Sequence, residues 1–100
     1  TEAKKWYAKA AENGDGYGAY CMSDLYKHGR GVPKNPAKAF EWKLKAAELG
    51  HALSQCDIAM CYDQGKGVKK NQAKALYWYQ KSAAGGDPQA KDILEQLKKK

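Results

Sequence analysis

Between Asp15 and His28, residues Ala19, Tyr20, Ser23 and Tyr26 fall at helical spacing, and Gln55, Cys56, Ala59 and Tyr62 take the same places 36 residues later. The pattern predicts one amphipathic helix, A, in each copy. Gly29 and Gly65 are placed to end it, because glycine enters the left-handed conformation without a Cβ penalty. The stretch Gly-x-Gly-Val-x-Lys-Asn follows in both copies, so Asn35 and Asn71 are expected to cap a second helix, B, with Pro36 in its first turn. Helix B is expected over 36–48 and 72–84, where Ala39, Trp42, Ala46 and Ala47 match Ala75, Trp78, Ser82 and Ala83. Small residues let helices approach closely, and one tryptophan per unit is expected to fill the core between them.

The same frame extends in both directions. Ala3, Trp6, Lys9 and Ala11 repeat helix B upstream, and Gly14, Gly50 and Gly86 each end a helix B. Asp87 and Pro88 suit the start of a last helix, as cap and first-turn residue. The predicted organisation is one repeat domain: a half unit at 1–13 (helix B), full units at 14–49 and 50–85, and a half unit at 86–100 (a capping helix A). A fixed period of this length is the signature of a stacked helical array, so the fold class is all-α. The run Lys98-Lys99-Lys100 predicts a frayed helix end, where positive charge suits the helix dipole.

The ordered set Tyr26, Gly29, Gly31-Val32, Ala37-Lys38-Ala39, Trp42 and Lys45-Ala46-Ala47-Glu48-Leu49-Gly50 resembles the Sel1-like repeat. The second copy, Tyr62, Gly65, Gly67-Val68, Ala73-Lys74-Ala75, Trp78-Tyr79 and Lys81-Ser82-Ala83, fits equally well. The likeness covers essentially the whole chain. It implies a right-handed α-α superhelix of antiparallel helix pairs, related to tetratricopeptide repeats, and an adaptor or scaffold role; members include bacterial secreted and host-interacting proteins. The chain departs from the pattern in mid helix A, where the family often has Leu-Gly and this chain has Met22-Ser23 and Ile58-Ala59. A cysteine-rich branch bridges helices A and B, but the matching slots here hold Gln55 and Ala47, so those disulfides do not carry over.

In a solenoid of this kind the resemblance implies that helix A lines the concave surface. The two copies differ at positions 17/53, 21/57, 24/60, 25/61 and 28/64. Tyr17, Cys21, Asp24, Leu25, His28, Leu53, Asp57, Met60, Cys61 and Gln64 are accordingly expected on the helix A face away from the repeat core, as a groove for an extended peptide or a partner helix. The half unit at 1–13, a helix B without its own helix A, is expected to leave the face around Trp6 and Ala10 uncovered, an edge suited to further repeats or to a second copy.

Charge changes this picture modestly. Eighteen basic against eleven acidic residues give a net charge of +7, which favours an acidic protein or peptide as partner. A helical repeat that binds single-stranded RNA is the rival reading, but Asp24 and Asp57 interrupt the basic character of the inferred groove. A purely structural spacer is the third reading. No stretch approaches the roughly 18 apolar residues of a membrane span, and residues 1–15 lack the apolar centre of a signal peptide. The chain reads as soluble, with cytoplasmic, periplasmic and secreted locations all open.

Nothing in the chain reads as catalytic, cofactor-binding or metal-binding. The Gly29-Arg30-Gly31 and Gly65-Lys66-Gly67 loops follow helices rather than strands and lack the Lys-Ser/Thr of a phosphate-binding loop. His28 and His51 have no nucleophile and orienting group at useful spacing. Cys21, Cys56 and Cys61 are an odd number, and Cys56 and Cys61 lie about 140° apart around a helix, so all three are read as thiols used as small apolar residues.

Overall fold

The computed structural model describes residues 2–98. Thr1, Lys99 and Lys100 lie outside the described residues, and with them the extreme ends of the two expected half units and most of the terminal lysine run. Among the described residues six α-helices follow one another: α1 Glu2–Glu12, α2 Gly16–His28, α3 Pro36–Glu48, α4 Ala52–Gln64, α5 Gln72–Ala84 and α6 Pro88–Lys98. No strand occurs among the described residues. The helices form two compact units, residues 1–51 with α1 to α3 and residues 52–100 with α4 to α6.

The helix ends obey the local chemistry of the sequence. Asn35 Oδ1 accepts from the Lys38 amide at 3.1 Å, and Asn71 Oδ1 from the Lys74 amide at 3.0 Å, each supplying a partner to an early N–H that the helix cannot satisfy. Asp87 Oδ2 does the same for the Ala90 amide at 2.9 Å. Gly29 and Gly65 sit in the left-handed region, with φ of 67° and 69°, which an L side chain rarely adopts. Each loop is then tied back to the helix it leaves: the Asn35 amide donates to the Tyr26 carbonyl and the Asn71 amide to the Tyr62 carbonyl, both at 2.9 Å.

In the first unit α2 packs against both α1 and α3. One apolar cluster holds Met22, Leu25, Tyr26 and Ala39, with Tyr7, Ala8, Val32 and Trp42 half-buried against it. A second holds Ala11, Ala19 and Ala46, with Tyr20 and Trp42 against it. Trp42 thus joins the two clusters while staying half-buried, and Trp78 is buried outright in the second unit. Gly18 permits the close crossing of α1 and α2: a Cβ there would lie 2.7 Å from Ala10 Cβ and 2.9 Å from the Tyr7 carbonyl oxygen.

The second unit packs α5 against α4 and α6. Cys56, Ile58, Ala59, Ala75, Trp78, Tyr79 and Ala90 are buried, together with the polar Ser54, Gln55 and Ser82. Ser82 Oγ donates to the Ala52 carbonyl at 2.7 Å, and Tyr79 Oη donates to Asp63 Oδ2 at 3.3 Å. Among the described residues no buried side-chain polar atom lacks a hydrogen-bond partner, as a well-formed interior requires.

Candidate protein-binding faces

Three of the expected helix A positions in the first unit form an exposed or half-exposed stripe. Tyr17 is 60% exposed, and Asp24 and His28 follow it two and three turns later on the same side of α2. Asp24 Oδ1 lies 3.3 Å from His28 Nε2, and its Oδ2 lies 3.6 Å from Arg30 Nη1. The pair of contacts holds the carboxylate beside two cationic or protonatable groups in the open, where such pairs contribute little stability.

Cys21 and Leu25 are corrections to the expected face: both are buried, Leu25 at 8% exposure inside the cluster of Met22, Tyr26 and Ala39. The reason is that α2 has a helix on each side, so its buried arc is wider than that of a helix packed on a single neighbour. Burial raises the Cys21 thiol above its usual value, with nearby Asp24 acting in the same direction and a hydrogen bond to Tyr17 opposing it. The same hydrogen bond raises the Tyr17 hydroxyl.

Beside this stripe stands an aromatic group that the spacing along helix A did not single out. The rings of Tyr17 and Tyr20 lie 6.1 Å apart, His51 lies 6.1 Å from Tyr17 and 4.9 Å from Tyr20, and Lys43 Nζ sits 6.0 Å above the Tyr20 ring. Tyr17 and Tyr20 are three residues apart, a helical neighbour spacing. His51 and Lys43 arrive from the turn after α3 and from α3 itself, which only the folded chain brings near. Rings at these separations attract one another through offset and edge arrangements.

In the second unit, Leu53 is 41% exposed and Gln64 is exposed, while Asp57, Met60 and Cys61 are half-buried along α4. The stripe is more apolar and less charged than its counterpart. A further exposed aromatic, Tyr77 on α5, meets Trp78 edge-on at 5.2 Å and carries Lys81 Nζ 5.4 Å above its ring.

Cys21, Cys56 and Cys61 are thiols, and burial pushes Cys56 up to about 12. A thiol held protonated to that degree is a poor nucleophile. Among the described residues no group of three or more His, Cys, Asp or Glu side chains is placed to hold a metal ion. No helix of the described residues is long and apolar enough to cross a membrane.

A family model described as Sel1 repeat matches residues 1–15, 16–51 and 52–87. A search of curated proteins finds no significant match. Among solved structures, a Sel1 repeat protein from Oxalobacter formigenes is 30% identical with a TM-score of 0.84, covering 90% of this chain and 68% of that one. Helicobacter pylori cysteine rich protein B is 29% identical with a TM-score of 0.82, again over 90% of this chain and 68% of that one. A protective antigen of uropathogenic Escherichia coli displaying an SLR fold is 35% identical with a TM-score of 0.73, over 94% of this chain and 20% of that one. The fold class is therefore the all-α helix-pair solenoid that the repeat pattern predicts. Sel1 repeat proteins are generally non-enzymatic scaffolds for protein interactions. With the repeat model matching from residue 1 to residue 87 and these structural likenesses beside it, the chain belongs to the Sel1 repeat family.

Proposed function

We propose that this chain is a non-enzymatic adaptor that holds a protein or peptide on the exposed stripes of its A helices. The observation that carries the reading is Tyr17, 60% exposed and steadied by the rings of Tyr20 and His51. A large aromatic held in place before binding loses little freedom on contact, and aromatic anchors of this kind dominate many protein interfaces. Asp24, His28 and Arg30 flank it with polar groups that set direction, and Leu53 and Met60 offer apolar contact in the second unit. The net charge of +7 favours an acidic partner during encounter.

The test is a displayed peptide library selected on this chain and counter-screened on a Tyr17→Ser, Leu53→Ser, Met60→Ser variant that retains its helical circular dichroism. Peptides that bind the chain at least about tenfold more tightly than the variant support the reading, a difference of about 1.4 kcal/mol. Peptides held equally by both would reject these stripes as the binding face. RNA affinity that falls steeply with added salt would instead move the function to nucleic acid.

A further inference from the structure

Basic residues occur along the whole chain, but the net charge is concentrated in two places. Residues 24–38 hold Lys27, Arg30, Lys34 and Lys38 against Asp24, and residues 60–74 hold Lys66, Lys69, Lys70 and Lys74 against Asp63. These stretches are the turns from α2 to α3 and from α4 to α5 with their flanking helix ends, and they carry six of the seven net positive charges. All eight of their cationic residues are exposed.

The turn of the second unit is held in shape by its own backbone. The Lys66 amide donates to the Cys61 carbonyl and the Asn71 amide to the Tyr62 carbonyl, both at 2.9 Å, while Gln72 Nε2 donates to the Asp63 carbonyl at 3.3 Å. Lys74 Nζ stands 5.3 Å above the Tyr62 ring, an attraction that restrains where its charge lies. Cations carried on a fixed backbone lose less freedom on binding than cations on a mobile one.

The two turns differ in what stands beside their charges. In the first unit Asp24 Oδ2 lies 3.6 Å from Arg30 Nη1. Met60 occupies the matching place in the second unit, so Lys66 has no carboxylate there, and Lys69 stands where the first unit has Pro33. The acid of the second stretch, Asp63, directs its Oδ2 to the hydroxyl of buried Tyr79 at 3.3 Å.

The surroundings select among polyanions. Tyr62 is half-buried with Lys74 above it, which leaves no open ring face at the turn for a base to stack on. Val68, the one apolar side chain between Gly65 and Asn71, is half-buried, so the turn presents nothing to enter a bilayer. Lysines are separate point charges on flexible stems, suited to carboxylates spaced along an extended segment.

We propose that the turn between α4 and α5, through Lys66, Lys69, Lys70 and Lys74, binds a segment of a partner protein rich in glutamate and aspartate. The proposal deepens the acidic-partner reading above and rests on it for the partner being a protein. Its residues are distinct from Leu53 and Met60.

The probe is a dodecapeptide of alternating glutamate and serine, titrated into the isotope-labelled full chain and followed by amide chemical shifts. Saturable shifts are expected to concentrate on residues 65–74. Affinity is expected to fall as salt rises from about 0.01 M to about 0.1 M, where the screening length drops from about 30 Å to about 10 Å. Lys69→Glu with Lys70→Glu is expected to weaken binding at least about fivefold. Lys5→Glu with Lys91→Glu, an equal change of net charge at exposed positions elsewhere, is expected to weaken it less than about twofold. Circular dichroism checks that each variant keeps its helices, and Lys69→Gln with Lys70→Gln, expected to give an intermediate loss, serves if the reversal unfolds the chain. Shifts spread evenly over the surface, equal losses in the two double reversals, or no shift up to about 5 mM peptide would each overturn the proposal. Tighter binding of an oligouridine of equal charge, or of phosphatidylserine vesicles, would overturn it as well. Peptides enriched in the selection above through Tyr17, Leu53 and Met60, without shifts at residues 65–74, would separate a failure here from a failure of the stripes.

Discussion

Ser23 donates its hydroxyl hydrogen to the Ala39 carbonyl across 2.8 Å, tying α2 to α3 inside an otherwise apolar cluster. Ser23 is 1% exposed, and the matching position in the second unit is Ala59, fully buried. Replacing Ser23 with alanine removes one hydrogen bond and adds no bulk. Urea denaturation is expected to show a loss of about 1 kcal/mol, the usual net contribution of such a bond.

Gly18→Ala has no comparable escape. The added Cβ meets Ala10 Cβ and the backbone of Tyr7 and Ala11, at 2.7, 2.9 and 3.0 Å, and none of these is the end of a flexible side chain. Helices α1 and α2 must separate, with an expected loss of about 1–3 kcal/mol in the same denaturation assay.

Asn35→Ala deletes the oxygen that accepts from the Lys38 amide, and a loss of about 1 kcal/mol is expected. Asn35→Asp keeps an acceptor in the same place and is expected to retain most of that stability. Thermal melts of the two variants side by side check the cap against any other role of the residue.

Alkaline pH is expected to weaken the second unit. Burial raises Cys56 from 9.0 to about 12, and burial first, then the charge of Asp63, raises the Tyr79 hydroxyl above its usual value. A folded-state value above the unfolded one means that the folded chain holds its proton more tightly. The associated stability is complete below the unfolded values and is lost as pH climbs through them toward the folded ones. Urea midpoints are therefore expected to fall from about pH 9 upward, by at most about 1.4 kcal/mol per pH unit for each group. Cys56→Ala is expected to flatten the slope between about pH 9 and pH 12; an unchanged slope would assign the loss elsewhere.

Helix boundaries and caps were legible in the sequence because they depend on neighbours along the chain. Asn35, Gly29 and Asp87 act within one or two turns of themselves, so periodicity and capping chemistry locate α2, α3, α5 and α6 closely. The exposed stripe proposed to bind was legible only in part. A face drawn from one side of helix A takes in Cys21 and Leu25, but a helix enclosed by α1 and α3 buries those flanks and leaves Tyr17, Asp24 and His28. Gly18 carries no apolar signal, and its value lies in what it lets approach. The ring group of Tyr17, Tyr20 and His51 joins helix α2 to the turn after α3, a distance along the chain that no local pattern spans.

The packing of α2 on α1 and α3, and of α5 on α4 and α6, joins helices that are neighbours along the chain. Short connections close at little entropic expense, and a topology dominated by local pairing reaches its native state quickly. During synthesis the contacts of the first unit therefore wait on none of α4 to α6, since every helix that makes them precedes those three along the chain.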